Sequence, residues 1–319
     1  MAVLSGKNPA VTVLMPAYNA EAFVRRAVKS VLRQTLDDLE LLVYDDASTD
    51  RTPEILAGFA RRDRRVKVIR TEKSGYAVNL ARGLDEAKGR YIARMDADDI
   101  CTRRRLEWQV AALEGDDRMV AVGGQGLEVD SWGWAIQPWR VPEDHETIDR
   151  LHMAGRCGQL IHPAMIFRAE VLRSVGYDPS FEPAEDFELW LRLAESGRLG
   201  NVPGLVLRYR RHTSNVSVTR NAAQCAAVER ALREAHDRRG LSLDRSFNWA
   251  KEQPINFRIS VIRAAFRAWN LHTGVRHLVP MVAQEWREPE VRDLVVGLLR
   301  RLVGMSPRAP RRLTPGDAK

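Results

Sequence analysis

Four short apolar segments, spaced by helical periodicity, constrain this 319-residue chain more than any other feature. Val11–Met15, Leu39–Tyr44, Val66–Ile69 and Tyr91–Met95 are apolar nearly throughout rather than alternating. That is the pattern of strands covered on both faces. Between them, apolar residues return every three or four positions. Glu21–Gln34 carries Ala22, Val24, Ala27, Val28, Val31 and Leu32, and Gly75–Ala87 forms a third helix. The helix between these two starts at Thr52-Pro53, where proline suits a first turn, and ends in the basic run Arg61–Arg65. Strand and helix alternating over short links predict parallel βαβ units, an α/β, Rossmann-like, mainly parallel sheet flanked by helices. The first strand is expected to stop at Pro16.

Two of these strands run into acid. The second continues as Asp45-Asp46-Ala47-Ser48-Thr49-Asp50 and the fourth as Asp96-Ala97-Asp98-Asp99. Three carboxylates in four residues raise one another's cost of ionisation. A hard divalent cation, Mg²⁺ or Mn²⁺, removes that cost. A solvated acidic turn is the plain alternative. Parallel strands, however, put both clusters on one carboxyl edge of the sheet, where open α/β folds bind ligands.

Farther on, Arg103–Leu113 reads as a helix and Met119–Gly123 as a strand. Glu128–Arg140, with Trp132, Trp134 and Trp139 around Gly133, reads as a hairpin. Trp132 and Trp134 share one face of it, for core packing or for stacking on a sugar. His162–Phe167 is expected to be a strand, Ala169–Val175 a helix, Phe187–Glu195 a helix, and Val206–Arg210 a last strand before Arg211-His212. Asn221–Arg239 is helical. In Ile255–Leu271 and Leu294–Val303, arginines lie off an apolar stripe. Such helices suit either an anionic membrane surface or packing on the preceding domain with their arginines solvated. Ser306–Lys319, rich in Pro and Arg, has the composition of a disordered tail.

Lys and Arg number 50 against 42 Asp and Glu, a net charge of +8. Residues 221–319 hold 18 basic against 10 acidic side chains, so the first 220, with 32 of each, are neutral. That leaves no broad basic face on the N-terminal two-thirds, and with no nucleic-acid module visible, no nucleic-acid partner is expected. Cys101, Cys157 and Cys225 are odd in number and widely spaced, which gives no zinc spacing and no disulfide framework. Met1–Pro9 lacks the apolar core of a signal peptide, and no apolar run approaches the roughly 18 residues of a spanning helix. The expectation is a cytoplasmic protein, peripheral at the inner face of the plasma membrane if the basic helices bind lipid.

Seven motifs stand in order: Pro16-Ala17-Tyr18-Asn19, Asp45 to Asp50, Gly75 to Gly83, Ala93 to Asp99, His162-Pro163, Ala184 to Arg192 with its Glu185-Asp186, and Tyr209-Arg210-Arg211-His212. Together they resemble the family-two glycosyltransferases, nucleotide-sugar enzymes of the GT-A fold, over about residues 10–218. The resemblance implies an N-terminal tail (1–9), a GT-A-like domain (10–218), a helical C-terminal extension (219–305) and a basic tail (306–319). It also implies metal-dependent, inverting transfer of a sugar from a nucleoside-diphosphate sugar to a hydroxyl acceptor, a glycan or a lipid-linked one, in polysaccharide or glycoconjugate synthesis. Pro16, Ala17, Tyr18 and Asn19 would line the base and ribose, and Asp45 and Asp46 would read the base. Asp96 and Ala97 would face the donor, and Asp98, Asp96 and His212 would hold Mn²⁺ or Mg²⁺. Asp186 would be the general base with Glu185 beside it. His162 and Trp190 would lie toward the acceptor. At the start of Gly75–Gly83 the chain departs from the family pattern, with Glu72-Lys73-Ser74 where relatives carry asparagine, so donor contacts there stay open, with Arg70 and Lys73 as phosphate candidates.

Two other functions suit the sequence less well. A sugar nucleotidyltransferase would show a glycine- and arginine-rich phosphate loop after the first strand, where this chain has Pro16–Asn19. A basic protein that only binds nucleic acid or a membrane surface has no use for Asp96–Asp99, Glu185-Asp186 and His212.

Overall fold

The computed structural model describes residues 8–212 and 221–242, with isolated positions between 275 and 295. The two basic amphipathic segments and the tail beyond Ser306 therefore lie outside the described residues or nearly so. Two compact units are present. The first comprises Met1–Gly126, Trp139–Tyr209 and Ala223–Phe247, and the second Leu127–Pro138, Arg210–Ala222 and Asn248–Lys319. Among the described residues no helix is long and apolar enough to cross a membrane.

The expected alternation is present: β1 (Val11–Ala17), α1 (Val24–Leu32), β2 (Leu39–Asp46), α2 (Thr52–Ala60), β3 (Val66–Thr71), α3 (Tyr76–Glu86) and β4 (Tyr91–Arg94). β3, β2, β1 and β4 are neighbours in that order, and each pair is parallel. Every residue of β1 and β2 is buried, because the sheet is covered on both faces. Val11, Val13 and Met15 pack with Leu39, Leu41, Val43, Tyr91 and Ala93 against Val24, Ala27, Val28 and Val31 of α1. Leu14, Leu42, Tyr44 and Ile92 pack against Leu80 and Leu84 of α3 on the opposite face. Each such Val, Leu or Ile contributes on the order of 1.5–3 kcal/mol.

β1 runs through Pro16 rather than stopping there. Leu14 is the last residue of β1 in register with β4, and its carbonyl accepts Met95 N at 3.0 Å. Two residues on, proline's missing N–H falls on that same side, beyond the ladder.

After β4 the sheet turns antiparallel. It continues through β5 (Ile100–Cys101), α4 (Arg105–Gly115), β6 (Met119–Val129), β7 (Ala135–Trp139), α5 (His145–Met153), β8 (Ile166–Arg168), α6 (Ala169–Val175), α7 (Glu185–Ser196) and β9 (Arg198–Arg210). β8 pairs antiparallel with β4 and with β6, and β5 with β9. β7 pairs with β6, so the tryptophan-rich hairpin exists. In its tip, Asp130 Oδ1 accepts Trp132 N at 3.0 Å and Trp134 N at 2.8 Å, while Trp132 and Trp134 are more than half exposed. Core packing is not their role.

His162–Phe167 is not one strand: His162–Ala164 is a 3₁₀ turn and only Ile166–Arg168 is extended. A last helix, α8 (Asn221–Arg238), buries Val228, Ala231, Leu232 and Ala235. Gln224 of α8 donates to Pro183 O at 3.1 Å, and the Arg230 guanidinium lies 3.5 Å from the Phe181 ring centroid. From Ala223 onward α8 thus groups with the first unit, whereas the sequence had assigned it to a C-terminal extension.

Candidate active site

Parallel pairing of β2, β1 and β4 delivers the loops after all three to one edge of the sheet. Ala17 stands in register with Asp45, and Leu14 with Arg94. The loops after β1 and β2 are knitted together by Asn19, whose side-chain oxygen accepts Thr49 N at 2.9 Å and whose N–H donates to Ser48 Oγ at 2.9 Å. Pro16 and Ala17 are buried, while Tyr18 is 49% exposed. The Lys73 ammonium sits 3.0 Å from the Tyr18 ring centroid, a cation–π contact.

Asp45 and Asp46, expected to read the base, have different surroundings. Asp45 is buried, with Oδ1 accepting Ser48 N at 3.2 Å and Arg70 Nε 3.7 Å from Oδ2. Asp46 Oδ1 accepts Ser74 N at 2.8 Å and Asn79 Nδ2 at 3.0 Å. Its Oδ2 accepts Lys73 Nζ at 2.9 Å and Gly75 N at 3.3 Å. A carboxylate offers about four lone-pair sites, so Asp46 is occupied in shaping the loop before α3. Burial pushes its pKa up, but the bonds from Lys73, Ser74 and Asn79 outweigh burial and hold it below the usual aspartate range.

At the end of β4, one oxygen from each of Asp96, Asp98 and Asp99 lies within 4.8 Å of the others. Three hard oxygen donors at that spacing fit a divalent cation such as Mn²⁺ or Mg²⁺. Arg94, buried beneath them, places Nη1 2.5 Å from Asp96 Oδ2. Burial works against the Arg94 charge, and Asp96 more than restores it. The platform is locked from below by Arg105, fully buried, whose guanidinium donates to the carbonyls of Arg94 (2.7 Å), Pro163 (2.9 Å) and Met165 (3.1 Å).

Glu185 and Asp186 open α7. Asp186 Oδ1 accepts its neighbour Phe187 N at 2.7 Å, and Glu185 Oε2 accepts the Tyr76 hydroxyl at 2.7 Å. The charges of Arg94 and Asp96 both act on Asp186, the first lowering and the second raising its pKa. A helix N-terminus favours carboxylate charge, so that dipole alone would lower the pKa of Asp186. Burial reverses the sign. Both carboxyls are pushed up, Glu185 by burial and then by the charge of Asp186, Asp186 chiefly by burial.

Residues 12–176, just over half of the chain, match the family model described as glycosyl transferase family 2. The chain belongs to that family. An uncharacterized glycosyltransferase of Haemophilus influenzae is 31% identical over 238 residues, 71% of this chain and 73% of its own. Among solved structures, the mannosyltransferase PcManGT from Pyrobaculum calidifontis, in complex with GDP-Man and Mn²⁺, superposes with a TM-score of 0.55 at 20% identity, over 93% of this chain and 81% of its own. S. aureus TarS 1-349 in complex with UDP-GlcNAc does so with a TM-score of 0.53 at 16% identity, over 93% of each chain. The fold of this glycosyltransferase is therefore GT-A.

Two residues of the glycosyltransferase assigned toward the acceptor are inside it. Trp190 is 2% exposed, stacked on Phe167 and edge-on to His162, which leaves no ring face for a sugar. His162 is buried, with Nε2 3.0 Å from the Tyr177 hydroxyl and Nδ1 3.8 Å from Glu185 Oε1. Burial, with the charge of Arg94 added, holds it well below the usual histidine range, so the imidazole is neutral. His212 follows β9, in the second unit. Sequence reasoning missed Arg94, Tyr76 and Arg105. Arg94 stood inside the fourth motif, legible as a charge beside the acidic cluster. Tyr76 and Arg105 reach partners between 11 and 109 residues away, and no local pattern marks them.

Proposed function

We propose that this enzyme transfers a sugar from a nucleoside-diphosphate sugar to a hydroxyl acceptor, a glycan or a lipid-linked one, with inversion at the anomeric carbon and with a divalent cation. The observation that carries this reading is the three-carboxylate cluster, whose Asp96 is paired with Arg94 while the charge of that arginine also acts on Glu185 and Asp186. Asp98 and Asp99, with Asp96 held by Arg94, would bind Mn²⁺ or Mg²⁺. That cation supplies Lewis-acid stabilisation of a departing diphosphate. Asp186 takes the acceptor hydroxyl proton as that oxygen attacks the anomeric carbon, and its raised pKa makes it a better proton acceptor than an exposed aspartate. One base is enough, because the leaving group is an anion needing no proton. Tyr18, half exposed at the end of β1, is the surface offered to the nucleotide base, with Asp45 behind it.

GDP-mannose and UDP-GlcNAc, bound by the structural neighbours, head a panel of nucleotide-sugars to be scored for nucleoside-diphosphate release with Mn²⁺, with Mg²⁺ and with chelator. Release is expected with one donor and a divalent ion, and to fall ~100- to 1,000-fold in Asp98→Asn, the rate equivalent of several kcal/mol. Undiminished release under chelator would remove the cation from the scheme. Release of pyrophosphate in place of a nucleoside diphosphate would make the protein a nucleotidyltransferase instead.

A further inference from the structure

The start of α3 touches both halves of the site. On one side, Asp46 grips Lys73, Ser74, Gly75 and Asn79. On the other, the Tyr76 hydroxyl donates to Glu185 Oε2 at 2.7 Å, and Ala77 N donates to Glu182 Oε2 at 3.3 Å. The approach is close: at Gly75, whose φ is +93°, an added Cβ would stand 3.0 Å from that Glu182 carboxylate. Burial and then the charge of Glu185 push the Tyr76 phenol upward, so it stays a protonated donor. Behind Glu185, the His162 and Tyr177 pair closes the other face of the carboxylate.

We propose that Tyr76 is a positioning residue for transfer. It ties Glu185, and with it the first turn of α7 that carries Asp186, to the loop held by Asp46. The proposal rests on the reading of Asp186 as general base. Glu185 is buried and Asp186, next to it, partly so, and the charge of either raises the cost of ionising the other, which favours rotamers that separate them. A hydrogen bond from a neutral donor to Glu185 counters this without adding a charge that would lower the basicity of Asp186. The same hydroxyl links the end of β2 to the base through five consecutive residues, Lys73 to Ala77. Displacing a base by ~1 Å costs about 10²-fold in rate, so a single tether at this point controls turnover and leaves donor binding to other residues.

The test is a double-mutant cycle on the full-length enzyme: Tyr76→Phe, Glu185→Gln, the double variant, and Asp186→Asn for reference. Each is scored for nucleoside-diphosphate release, with the donor found by the panel, at saturating Mn²⁺. Tyr76→Phe is expected to lower kcat about tenfold, the kinetic weight of one hydrogen bond, with the donor KM unchanged. The double variant is expected to be no slower than Glu185→Gln alone, because Tyr76 acts through Glu185. Unchanged kcat in Tyr76→Phe, or losses that multiply in the double variant, would overturn the proposal. If Tyr76→Phe does not fold, Tyr76→Gln, which keeps a donor, takes its place: near-parental kcat supports the tether and a loss as deep as that of Asp186→Asn refutes it. Full activity in Asp186→Asn would sink the base assignment itself, whereas a silent Tyr76→Phe beside an inactive Asp186→Asn would sink only the tether.

Discussion

The guanidinium of Arg94 lies 2.5 Å from the carboxylate of Asp96, and both belong to the stretch that ends β4. The first acid of the cluster is therefore already half of an ion pair, and the arginine is buried where water cannot replace its partner. One positive charge thus stabilises the acidic edge without any ligand, and it also acts on Glu185.

Arg94→Met should unmask this arrangement. Removing one partner of a buried pair costs about 3–5 kcal/mol, and the three carboxylates would then repel without relief. Denaturant unfolding is expected to show that loss, and Mn²⁺ should restore part of it by supplying positive charge at the same place. A variant whose stability ignores Mn²⁺ would argue against cation binding by the cluster.

Asp46 makes a prediction about acid. Its folded-state pKa is depressed below the ordinary aspartate value of 3.8. The stability it contributes is therefore present above that unfolded value and lost as pH falls through the folded one. Asp46→Asn should cost ~1–3 kcal/mol at pH 7, the cost of leaving buried donors poorly met. The gap between parent and variant should begin to narrow below about pH 4 and close only as pH falls through the lower folded-state pKa. Urea melts at pH 7 and in steps down through the acid range measure this, and a gap that does not change with pH would show that the carboxylate charge is not what holds the loop.

Asp186 carries the opposite sign. A carboxyl with a raised pKa stays protonated to higher pH, so kcat/KM should fall on the acid side at a pH above the ordinary aspartate value of 3.8. Stability follows the same shift: a raised folded pKa means that folding is favoured in acid and weakened as pH rises through it. Asp186→Asn should therefore lose activity yet melt at a higher temperature than the parent at pH 8. Parental and variant melts that coincide at pH 8 would show that the ionised carboxylate carries no burial cost.

The parallel core was legible because its cause is local. Strands covered on both faces must be apolar at every position, so β1, β2 and β4 announce themselves, and helices that cover them must carry a stripe. The acidic clusters were legible for the same reason, since three acids within four residues need no tertiary contact to be seen. Parallel pairing then sufficed to place Asp45 and Asp96 on one edge. The bounds of Ile166–Arg168 were not readable, because the apolar run from His162 is buried as a 3₁₀ turn under Arg105, and periodicity cannot separate a buried turn from a buried strand.

What each side chain does in the site was decided by the tertiary structure. Asp45 and Asp46 are adjacent and identical in sequence, yet four donors from Lys73 to Asn79 saturate Asp46 alone. Trp190 looks like an aromatic platform until Phe167 and His162 close on its ring. The helix dipole, a local property, lowers a carboxyl pKa, while burial, a property of the whole fold, raises that of Asp186 and wins. Hydrogen-bond saturation, burial and field depend on atoms brought in from distant parts of the chain, and only the folded chain brings them together.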